Sequence, residues 1–211
     1  MIFSFIFFFI VLILSVVLHE VSHGMMALHL GDTTAKDAGR LTLNPLKHLD
    51  LVGSVFLPLI LIIFALITGE GIIFGWAKPV PINPRNFRDK KYGEAKVALA
   101  GPLSNIGLAL AFGLPLRFIP FLHNSYQIYT LFSIIVYVNL LLALFNLLPI
   151  PPLDGAHILF TFLPRRFLRF KVFLLQFGFF ILLFFIFFCF KWFLPIIGWF
   201  YKLIVGYSFV I

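Results

Sequence analysis

His19, Glu20, Val21, Ser22 and His23 read H-E-x-x-H, inside an apolar run that starts at Met1. On a helix, histidines four apart stack on one face and can offer two imidazole nitrogens to one zinc ion. Glu20 stands beside them, placed to take a proton from zinc-bound water, whose pKa falls to about 7 on such a metal. Ile2 to Leu18 is almost wholly Phe, Ile, Leu and Val. An ionisable group in surroundings of that kind is expensive and by default functional. A chance match of five letters would leave Glu20 unexplained.

Two histidines leave such a site one protein ligand short. The stretch Asn146-Leu147-Leu148-Pro149-Ile150-Pro151-Pro152-Leu153-Asp154-Gly155 must break the helix before it, because its prolines cannot continue one. Irregular backbone at membrane depth is tolerated only against protein or a wet cavity. Asp154 is the best carboxylate candidate for the third ligand, and His157 competes with it. His29 has the spacing of the third histidine in H-E-x-x-H-x-x-G-x-x-H, but that pattern turns on a Gly where this chain has Met26. On an unbroken helix His29 lies roughly 80° round from His19. His48 and His123 read as loop histidines. Cys189 is the one cysteine, which excludes a cysteine-based zinc site and an intramolecular disulfide, and it reads as a small apolar residue.

The elements that must position these groups are membrane spans. Of 211 residues 62% are apolar, 30 are Phe and only 11% are charged, against about 25% charged in a soluble domain. Several runs reach the ~18–20 apolar residues that cross a bilayer. The expectation is an all-α polytopic membrane protein, a single domain over 1–211. The net charge of +8 does not point to nucleic acid, because the basic residues lie in loops between apolar runs. The N-terminal run lacks a basic n-region and carries the motif, so it does not read as a removable signal peptide.

Met1 to about Leu30 reads as the first helix, stopped by Gly31-Asp32. Thr33–Ala35 and Arg40–Leu43 suggest two short strands. Leu51–Ile67 is a second apolar run, at the lower limit for a span. Gly75–Pro84, with prolines at 79, 81 and 84, reads as extended chain, with Trp76 as an interfacial anchor. Lys96–Phe118 is a third apolar run. Near its start, Ala100-Gly101-Pro102-Leu103-Ser104-Asn105 lets another element approach closely; Asn105 is either a structural contact between helices or part of the chemistry. Ile128–Leu148 and Val172–Phe190 follow as helices. Trp192–Ile211, broken by Pro195, Gly198 and Lys202, either spans or lies in the interface.

Together these residues resemble the site-2 protease family of intramembrane zinc metalloproteases, in a compact form without an inserted PDZ or CBS domain. The likeness runs from His19 to about His157. It rests on His19–His23, the Gly75–Pro84 loop, Gly101–Asn105, and Asn146 with Pro149, Pro151 and Leu153-Asp154-Gly155. The resemblance implies one Zn2+ held by His19, His23 and Asp154, with Glu20 as the general base that later protonates the leaving amine. It implies that Asn146 supports the site or holds the substrate strand or oxyanion, and that the Gly101–Asn105 stretch belongs to the middle helix of a three-helix core. The implied partners are the lipid bilayer and a membrane-spanning substrate, cleaved as in regulated intramembrane proteolysis. An extended edge at 33–43 or 76–84 is a candidate for pairing with the opened substrate by strand addition. The competing reading is a non-proteolytic membrane metal-binding protein or transporter. A transporter needs a polar path to both faces, which runs of Phe, Leu and Ile do not line.

If Asp154 joins His19 and His23, the first helix and the helix 128–148 end at similar depth and run parallel. An odd number of crossings then separates them. The runs 51–67 and 96–118 would supply two, so 51–67 is expected to dip in and return, or to pack without crossing. The loops 31–50, 68–95 and 149–171 then share one side and carry twelve of the sixteen Lys and Arg, while Ile119–Gln127 has none. That side is cytoplasmic by the positive-inside rule, which puts the zinc site of this cell-membrane protein towards the cytosol. Cysteines introduced at Pro45 and Val80 are expected to label from the same face; accessibility from opposite faces would defeat this topology.

Overall fold

A computed structural model of the chain describes residues 2–50 and 78–209 and, between them, 53, 56, 59, 60 and 63. All regular structure among these residues is helical. Helix α1 spans Ile2–His29 and is followed by a single turn, α2, at Thr34–Asp37. Next come α3 (Gly93–Phe118), the short α4 (Pro120–Asn124) and α5 (Tyr126–Asn146). After an irregular stretch, α6 (Asp154–Phe162) leads to α7 (Leu168–Phe184), which runs through a π turn at Phe185–Cys189 into α8 (Phe190–Val205). Four stretches are long and apolar enough to cross a membrane: Phe3–His29, Gly93–Phe118, Tyr126–Asn146 and Arg165–Val205. The protein is multi-pass.

Helices α1, α3 and α5 pack on one another and form the core. Their contacts fix their directions. Along α1, Val11 packs against Ile134 and Val138, Ser15 reaches Asn105 and Asn139, and His23 reaches Val97. Towards the C-terminus of α1 the partners on α3 come from earlier in the sequence, from Asn105 to Val97, while those on α5 come from later. So α3 is antiparallel to α1, and α5 is parallel to it, as the shared depth of His19 and Asp154 requires. The expectation that 51–67 dips in and returns, and the anchor at Trp76, fall outside the described residues.

The C-terminal run does not break where the sequence suggested. α8 continues through Pro195 and Gly198 to Gly206, which caps it at φ 89° with its N–H on the Lys202 carbonyl. Packing outweighs the missing proline donor. Phe193, Ile197 and Tyr201 are buried against Ala109, Leu116, Val136 and Leu140, and the Tyr201 hydroxyl donates to Ser133 Oγ at 2.7 Å.

The short strands expected at 33–35 and 40–43 are not formed. Asp32 takes the N–H and hydroxyl of Thr34 on its Oδ1, and this local bond starts a helical turn despite the β-branched run. Residues 78–83 are extended but join no sheet, since prolines at 79, 81 and 84 remove the donors a ladder needs.

Asp32, completely buried, also ties this extended segment to the end of α1. Its Oδ2 accepts the Asn83 N–H at 2.7 Å and its Oδ1 accepts Asn86 Nδ2 at 2.8 Å. Beside it the Arg88 N–H donates to the Leu30 carbonyl at 2.8 Å, and Phe87 is buried with Ala27, Leu30 and Val97. Burial pushes the Asp32 pKa up, but the donors outweigh it and hold the carboxyl below the usual carboxylate range. A depressed folded pKa means stability that is present above the unfolded value of about 3.9 and is lost as pH falls through the folded one. Asp32→Ala is expected to cost about 2–3 kcal/mol at neutral pH, the worth of hydrogen bonds to a charged group. Thermal melting in detergent checks this, and the gap between variant and wild type should close as pH drops below about 4. Because Val80 is buried, Lys78, which is exposed, is the better labelling site for the topology test.

Candidate metal centre

Ser15, His19 and His23 follow one another at four-residue steps on the inner face of α1, and all three are buried. The two imidazoles lie edge to face, 4.6 Å between centroids. Each Nδ1 is engaged away from the other ring. His23 Nδ1 donates to the Val97 carbonyl at 2.7 Å, and His19 Nδ1 pairs with Asn105 Oδ1 at 2.6 Å. The two Nε2 atoms therefore face each other, 3.0 Å apart.

Asp154 completes the group. Its Oδ2 lies 3.1 Å from His19 Nε2 and 3.2 Å from His23 Nε2. The loop after α5 folds back sharply to bring it there. Gly155 is essential to that approach, because a Cβ at this position would stand 2.2 Å from the Leu147 carbonyl oxygen. Asp154 thus opens α6 at the end of the irregular 147–153 stretch. Among the described residues His19, His23 and Asp154 form the one converging group of potential metal ligands. His157 lies on the wall of the adjoining cavity and outside that group, and His29 is exposed. His48 is buried rather than an ordinary loop histidine, its Nε2 donating to the Thr42 carbonyl at 2.9 Å.

The arrangement fits zinc on its own geometry. Asp154 Oδ2 is buried and accepts no hydrogen bond. With both Nδ1 atoms carrying the imidazole hydrogens, the two Nε2 lone pairs and the carboxylate oxygen are directed at one point and repel one another unless a cation lies among them. Bonds of about 2.0–2.1 Å in a tetrahedron give ligand separations of about 3.3 Å, close to those seen here. At Gly101, α3 presents only backbone to the space between the imidazoles. A Cβ at Gly101 would stand 2.4 Å from His23 Nε2 and 2.6 Å from His19 Nε2, so any side chain there would fill the space between the imidazoles.

The open side faces a cavity of about 410 Å³, whose wall includes Glu20, Val80, Glu94, Asn146 and His157. Glu20 Oε2 accepts the Val80 N–H at 2.9 Å. Between Pro79 and Pro81 that is the one backbone donor available. Asn146 ends α5 on this wall, one of its amide hydrogens on the Leu142 carbonyl. Asn105 is not in the cavity. It lies behind His19, fully buried, and also touches Asn139.

Sequence reasoning missed Val80, Asp32, Ser15 and Asn139. The last two carried a usable signal. Asn139 is a polar residue within the apolar run 128–148, seven before Asn146 and therefore on its face of the helix. Ser15 sits one turn before His19.

The sequence profile of Peptidase family M50 matches residues 121–185. A Bacillus subtilis protein that bears the name of a zinc metalloprotease, YwhC, is 41% identical over 166 residues, covering 74% of this chain and 68% of its own length. A Mycolicibacterium smegmatis protein with the same kind of name, Rip2, is 34% identical over 145 residues, 68% of this chain and 52% of the relative. A third, MJ0611 of Methanocaldococcus jannaschii, shares 46% identity over 65 residues, 30% of this chain and 32% of its own. No solved structure matches the chain. With apolar spans, a buried two-histidine and one-carboxylate cluster, and this degree of identity, the chain belongs to Peptidase family M50, the site-2 protease family of zinc metalloproteases.

Proposed function

We propose that this protein hydrolyses a peptide bond in or near a transmembrane helix of a membrane-protein substrate, with His19, His23 and Asp154 as the zinc ligands and Glu20 as the general base. The observation that carries this reading is the convergence of the three donor atoms inside the three-helix core, beside a cavity that Glu20 also lines. Zn2+ held there supplies Lewis-acid activation of the attacking water and of the scissile carbonyl. Glu20 takes a proton from that water at its carboxylate as the oxygen adds to the carbonyl carbon. As the C–N bond breaks, Glu20 gives the same proton to the leaving amine nitrogen. Asn146 has an amide hydrogen free of the Leu142 carbonyl, and we assign it to the substrate carbonyl or its developing oxyanion.

A helical substrate hides its carbonyls in hydrogen bonds, so part of it must open before it reaches the cavity. Residues 78–83 support entry as an extended chain, because they run along the cavity without closing a sheet of their own. The basic loops that flank the core favour a zinc centre on the cytosolic side of the cell membrane.

Cleavage of a transmembrane test substrate in detergent, followed together with bound zinc, tests the assignment. Glu20→Gln is expected to keep zinc and lose about 10²–10⁴-fold in rate, the usual worth of a general base. Asp154→Ala is expected to lose zinc affinity and activity together. Wild-type protein that binds zinc and cuts no helix would favour a binding or transport role. Asp154→Ala protein with normal zinc and activity would remove the third ligand.

A further inference from the structure

Behind the two histidines lies a polar cluster that the proposed chemistry does not use: Ser15 on α1, Asn105 on α3 and Asn139 on α5. Their side chains are shut away among apolar helices, with Asn105 and Asn139 wholly buried. Asn139 Nδ2 reaches the Ile135 carbonyl at 2.9 Å and Ser15 Oγ at 3.0 Å. Asn105 Nδ2 reaches Asn139 Oδ1 at 2.9 Å and the Ser15 carbonyl at 3.3 Å. Asn105 Oδ1 faces His19 Nδ1.

The direction of this chain is forced. An amide side chain can be turned either way until its partners decide. The Ile135 carbonyl can only accept, so the group of Asn139 that meets it must be the NH₂, and Asn139 Oδ1 points the other way. That oxygen and the Ser15 carbonyl are both acceptors, so the group of Asn105 between them must also be its NH₂. Asn105 Oδ1 is then left for His19, and His19 must place its hydrogen on Nδ1. Its Nε2 keeps a lone pair directed at His23 and Asp154. Were either amide turned over, two acceptors would meet in a dry interior. With Asn105 turned, its NH₂ would face His19 Nδ1, and His19 would carry its hydrogen on Nε2, where it blocks a metal. His23 needs no relay, since the Val97 carbonyl imposes the same tautomer directly.

We propose that Asn139, acting through Asn105, is a positioning residue of the metal centre: two main-chain carbonyls on two helices set the tautomer in which His19 can bind zinc. This rests on the reading of His19 as a ligand. Outer groups that orient a metal-bound histidine are typically worth 10–100-fold in metal affinity.

Zinc affinity of the full chain in detergent, measured by competition with a chromophoric chelator, tests the proposal on wild type, Asn139→Leu, Ser15→Ala and His19→Ala. Asn139→Leu is expected to bind zinc about 10–100-fold more weakly. Ser15→Ala leaves both directing carbonyls in place and should stay within about threefold, since it removes one neutral hydrogen bond. Asn139→Leu with wild-type affinity overturns the relay. His19→Ala with wild-type affinity instead overturns the ligand assignment, so the two failures are distinguishable. A second readout does not depend on the variants folding. In the zinc-loaded wild type, proton NMR should show a slowly exchanging, hydrogen-bonded Nδ1–H on both His19 and His23. Its absence on His19 alone overturns the relay.

Discussion

Two imidazole nitrogens and a carboxylate oxygen, held 3.0–3.2 Å from one another away from bulk water, need positive charge among them, which a metal cation or a shared proton supplies. The rest of the core follows from meeting that requirement. α1 and α5 run parallel so that His19 and Asp154 share a depth. α3 runs against them and presents Gly101 where a side chain would occupy the cation's place. The prolines after α5 end that helix at the right depth, and Gly155 allows the chain to fold back on the Leu147 carbonyl. Each device is local and inexpensive, but each depends on the others being in position.

The proposed general base is positioned from outside the three-helix core. Glu20 projects from α1 next to His19, and the Val80 N–H meets its carboxylate. The extended segment that carries Val80 is fixed by Asp32 and the Leu30 carbonyl, both at the end of α1. One helix therefore supplies two of the proposed ligands, the proposed base and the anchor for the segment that touches it. In a medium without water to satisfy stray polar groups, such ties are strongly directional. The same reasoning applies to the buried amides behind His19, whose orientation is decided by carbonyls that can only accept.

Some of this is local chemistry and was legible residue by residue. The four-residue spacing of His19 and His23 fixes a shared helical face whatever the fold. The apolar runs fix the spans, and Pro149, Pro151 and Pro152 fix the end of α5. The expected strands failed for a reason that is also local, though the sequence pattern hid it: the Asp32 carboxylate competes for the Thr34 N–H and turns the chain into a helix. Pro195 and Gly198 looked like breaks because propensity ignores the packing of Phe193, Ile197 and Tyr201 on the core.

Spacing and composition alone define the chemistry on offer, two histidines able to hold zinc beside a carboxylate in an apolar helix, and the number of groups still missing. Which further residue joins them depends on packing between distant helices. Asp154 and His157 lie one turn apart and are equal by spacing; the close packing of Gly155 brings Asp154 to the two histidines. Asn105 could have lined the cavity or braced a ligand; its position 86 residues from His19 along the chain, yet within hydrogen-bond reach, puts it behind the metal centre. Asn139 and Ser15, 124 residues apart, meet only through the packing of α1 and α5. Helical periodicity relates residues within a few turns, whereas the direction of a hydrogen-bond chain between three helices is set by which acceptors happen to face one another once they are packed.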